Sequence, residues 1–409
     1  MRLIISFIAL FLSVILLQLS SSGLGPLDVL SGLKLEFSNS QIGLLGSSHF
    51  FGFFIGCWWA PRLMGSVGHS RAFAGFATLG VMGLITHMLI INPYIWALMR
   101  IASGLCVAGC YTVIESWLND RVTNKTRGRA MGTYRIADLG SSMFAQLLIG
   151  VLEPAHYVSY NLLALFCCAA ILPLTLSKTT QPKVQTAPRL RPKLAFNRSP
   201  LAAVGVVIAG LTTAAFRMVG PVYGQGVGLK PNQIGYFLAL FVFGGMLAQF
   251  PIGWLADKYD RRWILIITSI GATSACAITI FTSNLGTNLI LISSFLFGFF
   301  TFPIFSVASA HANDFGKPEE RIELAAALIF FYAVGATASP LIASTLIEKF
   351  GPSSLFIFIS TAHLILIIFD LFRLNSRPTL ENRTPYMYAP RTSFSVGRLM
   401  RRGKKSIIT

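Results

Sequence analysis

The sequence predicts an all-α, polytopic membrane protein with twelve transmembrane helices in two six-helix, pseudo-symmetric halves. Three observations predict it. Hydrophobic residues make up 54% of the chain and charged residues only 12%, against the roughly 25% charged residues of a soluble domain. The apolar residues gather in runs long enough, at about 1.5 Å per residue, to cross a hydrocarbon core of about 30 Å. Lys and Arg fall almost wholly into alternate connections between those runs, the asymmetry that orients a membrane protein.

The runs cover 3–24, 41–64, 72–91, 94–118, 130–152 and 156–176 in the first half. The second half repeats the count over 201–220, 233–256, 263–281, 289–312, 322–347 and 353–374. Arg2 precedes the first run, as in a secretory leader. That run is longer than a leader's apolar segment, lacks an Ala-x-Ala site and is followed by more spans, so it reads as a retained helix.

One set of loops holds Arg62 and Arg71; Arg121, Lys125, Arg127 and Arg129; Lys178, Lys183, Arg189, Arg191, Lys193 and Arg198; Lys258, Arg261 and Arg262; and Lys317 and Arg321. The alternate set holds Lys34, Lys230 and Lys349. Positive loops are retained in the cytosol, which places both termini there. The chain thus divides into a six-helix bundle (1–176), a cytosolic linker rich in Lys, Arg, Pro and Thr (177–199), a second bundle (200–374) and a basic cytosolic tail (375–409). The tail reads as a disordered, positive-inside segment or as one that touches anionic inner-leaflet lipid.

A net charge of +18 is accounted for by these loops and the tail. A nucleic-acid binder would gather its cations on one folded face, so no nucleic-acid partner is expected. Cys57, Cys106, Cys110, Cys167, Cys168 and Cys276 all fall inside apolar runs with no His at metal spacing. No metal or cofactor is expected, nor any ATP-binding loop of the Gly-x-x-x-x-Gly-Lys type.

The stretch Gly253-Trp254-Leu255-Ala256-Asp257-Lys258-Tyr259-Asp260-Arg261-Arg262, between the eighth and ninth runs, resembles the charged loop motif of the major facilitator superfamily of transporters. His311-Ala312-Asn313-Asp314, Phe331-Tyr332-Ala333-Val334-Gly335, Ser339-Pro340-Leu341-Ile342-Ala343, Phe350-Gly351-Pro352-Ser353 and Gly220-Pro221-Val222-Tyr223-Gly224-Gln225 are similar to its bacterial YcaD-like branch. The resemblance runs to about Leu374. It implies a secondary carrier in a bacterial inner membrane, working by alternating access, whose substrate the branch does not define. A monomer is expected, with a small-molecule substrate, protons as a candidate coupling ion and membrane lipid as partners. The resemblance also implies that Asp257 meets the start of the fifth helix near 128–131, and that Arg261 finds Asp314, when the cytosolic side is shut. The first-half copy of the motif departs from the pattern. Met64 stands at its Asp position, with Arg62 two residues before. Glu319, Glu320 and Arg321 then lack their usual partner, and a resting equilibrium that leans more toward the inward-open state than in a carrier with both latches is expected.

Charges inside spans are the remaining candidates, because an unpaired one costs at least about 2.5–3.5 kcal/mol at the bilayer centre. They are Arg100, Glu115, Arg135, Asp138 and Arg217. Arg100, Gly104, Tyr111 and Glu115 share one face of the fourth helix by spacing. Arg100 and Gly104 match the Arg-x-x-x-Gly pattern that the resemblance links to proton or substrate coupling; a snorkelling Arg100 is the alternative. Glu115 and Arg135 lie at similar depth and can pair, with Asp138 one turn further. The group is either structural glue or a proton switch in which Glu115 accepts the proton, since two carboxylates near one site titrate apart.

Arg217 would attract an anionic or carbonyl-bearing solute. Gln18, Tyr111 and Phe302 are candidate cavity residues; Phe299, Phe300, Phe302 and Phe305 around Pro303 serve either as packing or as stacking surfaces. His49 reads as hydrogen-bonded packing, and Gln146 as a further polar point. Gly140-Ser141-Ser142-Met143 stands where antiporters of the superfamily often carry Gly-x-x-x-Gly-Pro, which weakens the drug-efflux reading. A sensor on the same fold is a further alternative. An intramembrane enzyme is disfavoured, because no nucleophile–base or metal cluster shares a face.

Overall fold

The computed structural model describes residues 2–123, 126–176, 182, 187–283, 285–374, 383–394 and 397–398, with 2–6 as backbone only. Lys125, Lys178, Lys183, Arg401, Arg402, Lys404 and Lys405 lie outside them. The first six spans are α1 (Arg2–Lys34), α2 (Asn39–Val67), α3 (His69–Leu89), α4 (Pro93–Arg121), α5 (Arg127–Leu148) and the nearly continuous pair α6 (Tyr157–Ala169) and α7 (Ile171–Thr175). A short linker helix, α8 (Pro192–Arg198), precedes the second six: α9 (Pro200–Gly226), α10 (Pro231–Lys258), α11 (Arg261–Thr282), α12 (Thr287–Phe315), α13 (Arg321–Phe350) and α14 (Ser354–Leu374).

Among the described residues, 11 of these segments are long and apolar enough to cross a membrane, and α5 is not one of them. At 22 residues it still spans about 33 Å. Its low apolarity comes from a buried polar stripe of Arg135, Asp138, Ser141, Ser142 and Gln146, so it crosses by facing protein rather than lipid. Two predicted boundaries are corrected. The fifth span runs from Arg127 to Leu148 rather than over 130–152, and α1 continues past 24, through Pro26, to Lys34. A proline inside a membrane helix is tolerated where neighbouring helices satisfy the freed backbone groups.

Local chemistry sets the helix starts. Ser38 and Gln41 form a capping box at α2, and the Asn92 side chain caps α4 just before Pro93. Asp260 caps α11 and accepts hydrogen bonds from the Arg262 backbone at 3.0 Å and its guanidinium at 2.6 Å. Partial burial pushes the Asp260 carboxyl up, but the Arg262 hydrogen bonds outweigh it and hold it below the usual carboxylate range. The clamp is therefore intact at neutral pH and is lost as pH falls through that lowered value. Asp260→Ala is expected to cost about 1 kcal/mol in a thermal melt, and Asp260→Asn much less, because Asn also caps.

The two halves repeat one packing solution. A methyl group added at Gly52 or Gly104 would lie 2.1 or 2.0 Å from a carbonyl oxygen of the facing helix, α4 or α2. In the second half Gly244 and Gly298 leave 2.1 and 1.9 Å across α10 and α12. Each half thus seats its second and fourth spans backbone to backbone through a pair of glycines, as close helix approach requires.

The halves meet tightly at one membrane face. The Ser40 amide and hydroxyl donate to Glu348 at 2.9 and 2.6 Å, and the Leu341 amide donates to Ser47 at 3.2 Å. Gly235 of α10 packs against the Gln146 carbonyl of α5. At the other face, which carries the Lys- and Arg-rich loops, a methyl added at Gly128 or Gly132 of α5 would meet nothing within 4 Å. The structure is closed on one side and parted on the basic side.

The C-terminal segment is a second correction. Residues 383–394 do not trail from the bundle. They enter the basic-side opening, and Ala389 and Phe394 are each only 2% exposed.

Candidate functional site

Between the halves lies a cavity of about 140 Å³, lined among others by Gln18, Ser22, His49, Tyr111, Arg135, Asp138, Ser142, Arg217, Phe302 and Tyr332. Predicted site residues of α1, α4, α5, α9 and α12 converge there. Arg100 and Glu115 are not on its wall.

Arg217 of α9 reaches across the junction and donates to the hydroxyls of Ser22 on α1 and Ser142 on α5, at 3.0 and 3.2 Å. These two hydroxyls are themselves 3.1 Å apart, and the Gln146 amide donates to the Ser22 carbonyl at 3.1 Å. No carboxylate forms an ion pair with Arg217 among the described residues. Its half-buried guanidinium makes its hydrogen bonds to these two hydroxyls.

The α5 stripe supplies the next layer. Arg135 pairs with Asp138 at 3.0 Å, one turn apart on the same helix. Asp138 also accepts a short hydrogen bond from the Tyr111 hydroxyl of α4. The expected Glu115–Arg135 ion pair does not form in this state. Glu115, 1% exposed, instead accepts from the Tyr134 hydroxyl at 3.1 Å and from Thr392 and Ser393 of the C-terminal segment. The Arg135 guanidinium lies between the Tyr134 and Tyr388 rings, 4.5 and 5.1 Å from their centroids. Proximity to Asp138 on its own helix, together with these two rings, decides its orientation.

Arg100 does not snorkel. It is 1% exposed, and its Nε lies 3.5 Å from Asp28 of α1. Asp28 also accepts from the Tyr160 hydroxyl at 2.9 Å and lies 3.4 Å from His87 Nε2. The His87 ring stacks on Tyr160 and is 4.9 Å from Trp96. Helices α1, α3, α4 and α6 are tied together by this cluster on the closed side. Sequence reading missed Asp28, because ending the first run at 24 placed it in a loop. A run continued through Pro26 would have shown an intramembrane acid.

In the loop motif, Arg261 is 1% exposed and meets Asp314 at 2.5 Å and the Ala310 carbonyl at 2.8 Å; the pair lies within the second half and forms with the basic face parted, not only when that face is shut, as expected. Asp257 is not at the start of α5 in this state. It accepts the Tyr386 backbone N–H at 2.6 Å and lies 3.6 Å from Arg261. The two halves are parted on this face, so the α5 terminus is out of reach. In the first half, Arg62 turns back onto Trp58, 4.3 Å from its ring centroid. Glu320, lacking a partner there, takes a two-pronged pair from Arg198 of α8 at 2.8 and 2.9 Å. That pair holds the Glu320 carboxyl below its ordinary range and raises Arg198.

Comparison with known proteins agrees with this architecture. An uncharacterised MFS-type transporter of Enterobacter sp. (strain 638) is 25% identical over 368 residues, covering 89% of this chain and 95% of that protein. The uncharacterised MFS-type transporter YcaD of Salmonella paratyphi A is 24% identical over 379 residues, covering 90% and 96%. Among solved structures, the nucleoside transporter NupG superposes with a TM-score of 0.76 at 15% identity, over 90% of this chain and 99% of that one. The family model described as Major Facilitator Superfamily matches twice, over residues 7–230 and 202–405. With twelve helices in two repeated halves and that double match, the chain belongs to the Major Facilitator Superfamily.

Proposed function

We propose that this membrane transporter is a secondary active carrier of a small organic solute. It works by alternating access across a bacterial inner membrane, with the basic face and both termini in the cytosol. Residues 1–176 and 200–374 are the two bodies that rock. The observation that carries the reading is Arg217, a half-buried guanidinium on the cavity wall that bridges the two halves with no ion-pair partner among the described residues. A charge drawn partly out of water with no ion-pair partner carries a desolvation cost. A solute that brings a carboxylate, phosphate or carbonyl to the fork offsets that cost with charge-assisted hydrogen bonds. Gln18 and Tyr111 add polar contacts, and Phe302 supplies an apolar wall.

Proton coupling is assigned to the group around Arg135. Asp138 holds the guanidinium while Glu115, a second buried carboxylate on the adjoining helix, takes up the proton, because two carboxylates near one cation titrate apart. In the gating loop, Gly253, Arg261, Arg262 and Asp314 hold the second half's loop in shape, the Arg261–Asp314 pair being made already with the basic face parted, and Asp257 is the group that closes the cytosolic side across the halves.

A thermal-shift screen of small solutes on the purified protein, followed by counterflow in proteoliposomes, tests this. A stabilising solute is expected to exchange across the bilayer, with Arg217→Ala weakening its binding by about 1.5–3 kcal/mol, the weight of a charge-assisted hydrogen bond. Glu115→Gln is expected to retain counterflow and lose its dependence on a pH gradient. A solute that binds without exchanging would assign the fold to a sensor. Exchange confined to bulky amphiphiles would favour an efflux antiporter.

A further inference from the structure

The groups expected to close the basic face are already engaged by the chain's own C-terminal segment. Asp257 accepts the Tyr386 amide, and Asp314 accepts both the amide and the hydroxyl of Thr384 at 2.8 Å. Gly253 leaves room for the Tyr386 ring, whose carbons would lie 2.6 Å from an added methyl group. Deeper in, the Arg391 guanidinium donates to Thr213 of α9 at 2.9 Å. It sits in an aromatic cage, 5.1, 5.8 and 5.4 Å from the ring centroids of Phe302, Phe305 and Tyr332. Phe394 then crosses to the first half, 6.2 Å from the Phe54 ring.

We propose that residues 383–394 are a tethered plug: the basic-side vestibule is a docking groove for this segment, which props the halves apart and occupies the solute cavity until it leaves. Three features point the same way. The segment contacts both halves, α4 through Glu115 and α9, α10 and α12 through the groups above, so the halves cannot close while it is present. It spends the Asp257 carboxylate on its own backbone, so docking and the latch compete for one acceptor. It also reaches the cavity rather than merely covering the entrance, since Tyr388, Arg391 and Thr392 form part of the cavity wall and narrow it. Tethering presents such a segment at millimolar effective concentration, so a dilute cytosolic solute meets a vestibule that is usually taken. The docking itself stands on the contacts; only its effect on the cycle rests on the alternating-access reading.

The native thiol of Cys57 reports on the plug. Cys57 is fully buried in the cluster that Phe394 completes, whereas Cys168 is exposed. With membranes holding the full chain, a water-soluble maleimide is expected to modify Cys57 far more slowly than it does once the protein is unfolded in SDS. Arg391→Glu is expected to speed Cys57 modification roughly tenfold, the weight of one cation–aromatic contact and its hydrogen bond, and to leave buried Cys106 unreactive. Oxidation is expected to join the introduced thiol of Phe394→Cys to Cys57, with a lower yield once Arg391→Glu is added. Cys57 reacting as fast in the folded, unaltered chain as in the SDS-unfolded one would overturn the proposal. So would a Cys57 rate indifferent to Arg391→Glu, or Cys106 opening together with Cys57. No transported solute enters the measurement, so its failure would leave the transport reading standing.

Discussion

Arg100→Leu is expected to destabilise the protein by about 3–5 kcal/mol, because it strands the Asp28 carboxylate in a site with 1% exposure. The Asp28–Arg100 distance is 3.5 Å, and both groups are removed from water. The mutual attraction of such a pair roughly offsets its desolvation, while loss of one partner leaves the other's penalty uncompensated. The double variant Asp28→Asn, Arg100→Leu is therefore expected to recover much of the loss, since the neutral amide can still accept from Tyr160. Thermal melts of the detergent-solubilised single and double variants measure this coupling directly. Additive losses would show that Arg100 is held by packing rather than by its charge.

Gly298→Val is expected to be at least as damaging. Its first side-chain carbon would lie 1.9 Å from the Phe241 carbonyl oxygen, where the obstacle is backbone and cannot rotate away. Helices α10 and α12 must part along their contact, at a cost above the roughly 1–3 kcal/mol of ordinary overpacking. Gly104→Val, its counterpart in the first half, faces the His49 carbonyl at 2.0 Å and is expected to behave alike. Gly140→Val, at a site where an added methyl meets nothing within 4 Å, serves as the control. Yields of folded protein in the membrane and melting temperatures should separate the first two from the third. If all three accumulate equally, the close seating of the second and fourth spans is not what holds each half together.

The fold was legible because a membrane writes its constraint into composition and run length. Each crossing needs about twenty residues, and each connection declares its side by charge. Even α5, too polar to qualify by apolarity, could be placed, because the alternation of charged loops demands a crossing there. What failed was local. Pro26 read as an end, although a membrane helix can carry it, and Asp28 was lost with the turn that followed. The cavity residues Gln18, Tyr111, Arg135, Asp138, Arg217 and Phe302 could be named from their depth and polarity. Their partners could not, because the pairing of Arg135 with Asp138 instead of Glu115 depends on helix rotation and on a distant segment. That segment offered no signal at all. Residues 383–394 have neither an apolar run nor a helical period, and their contacts are with residues far off in sequence, 70 positions away between Thr384 and Asp314.

The central claim is that the two halves, shut at one face and parted at the other, exchange these states as rigid bodies about Arg217. Paired spin labels test it most directly in a Cys57→Ser, Cys168→Ser background, one pair at Ser38 and Phe350 on the closed face, the other at Arg129 and Lys258 on the basic face. The account predicts a short distance for the first pair and a long one for the second in the resting protein, with both distributions moving in opposite directions when the docked segment is released by Arg391→Glu. Distances at the two faces that stay fixed, or that lengthen together, would contradict it.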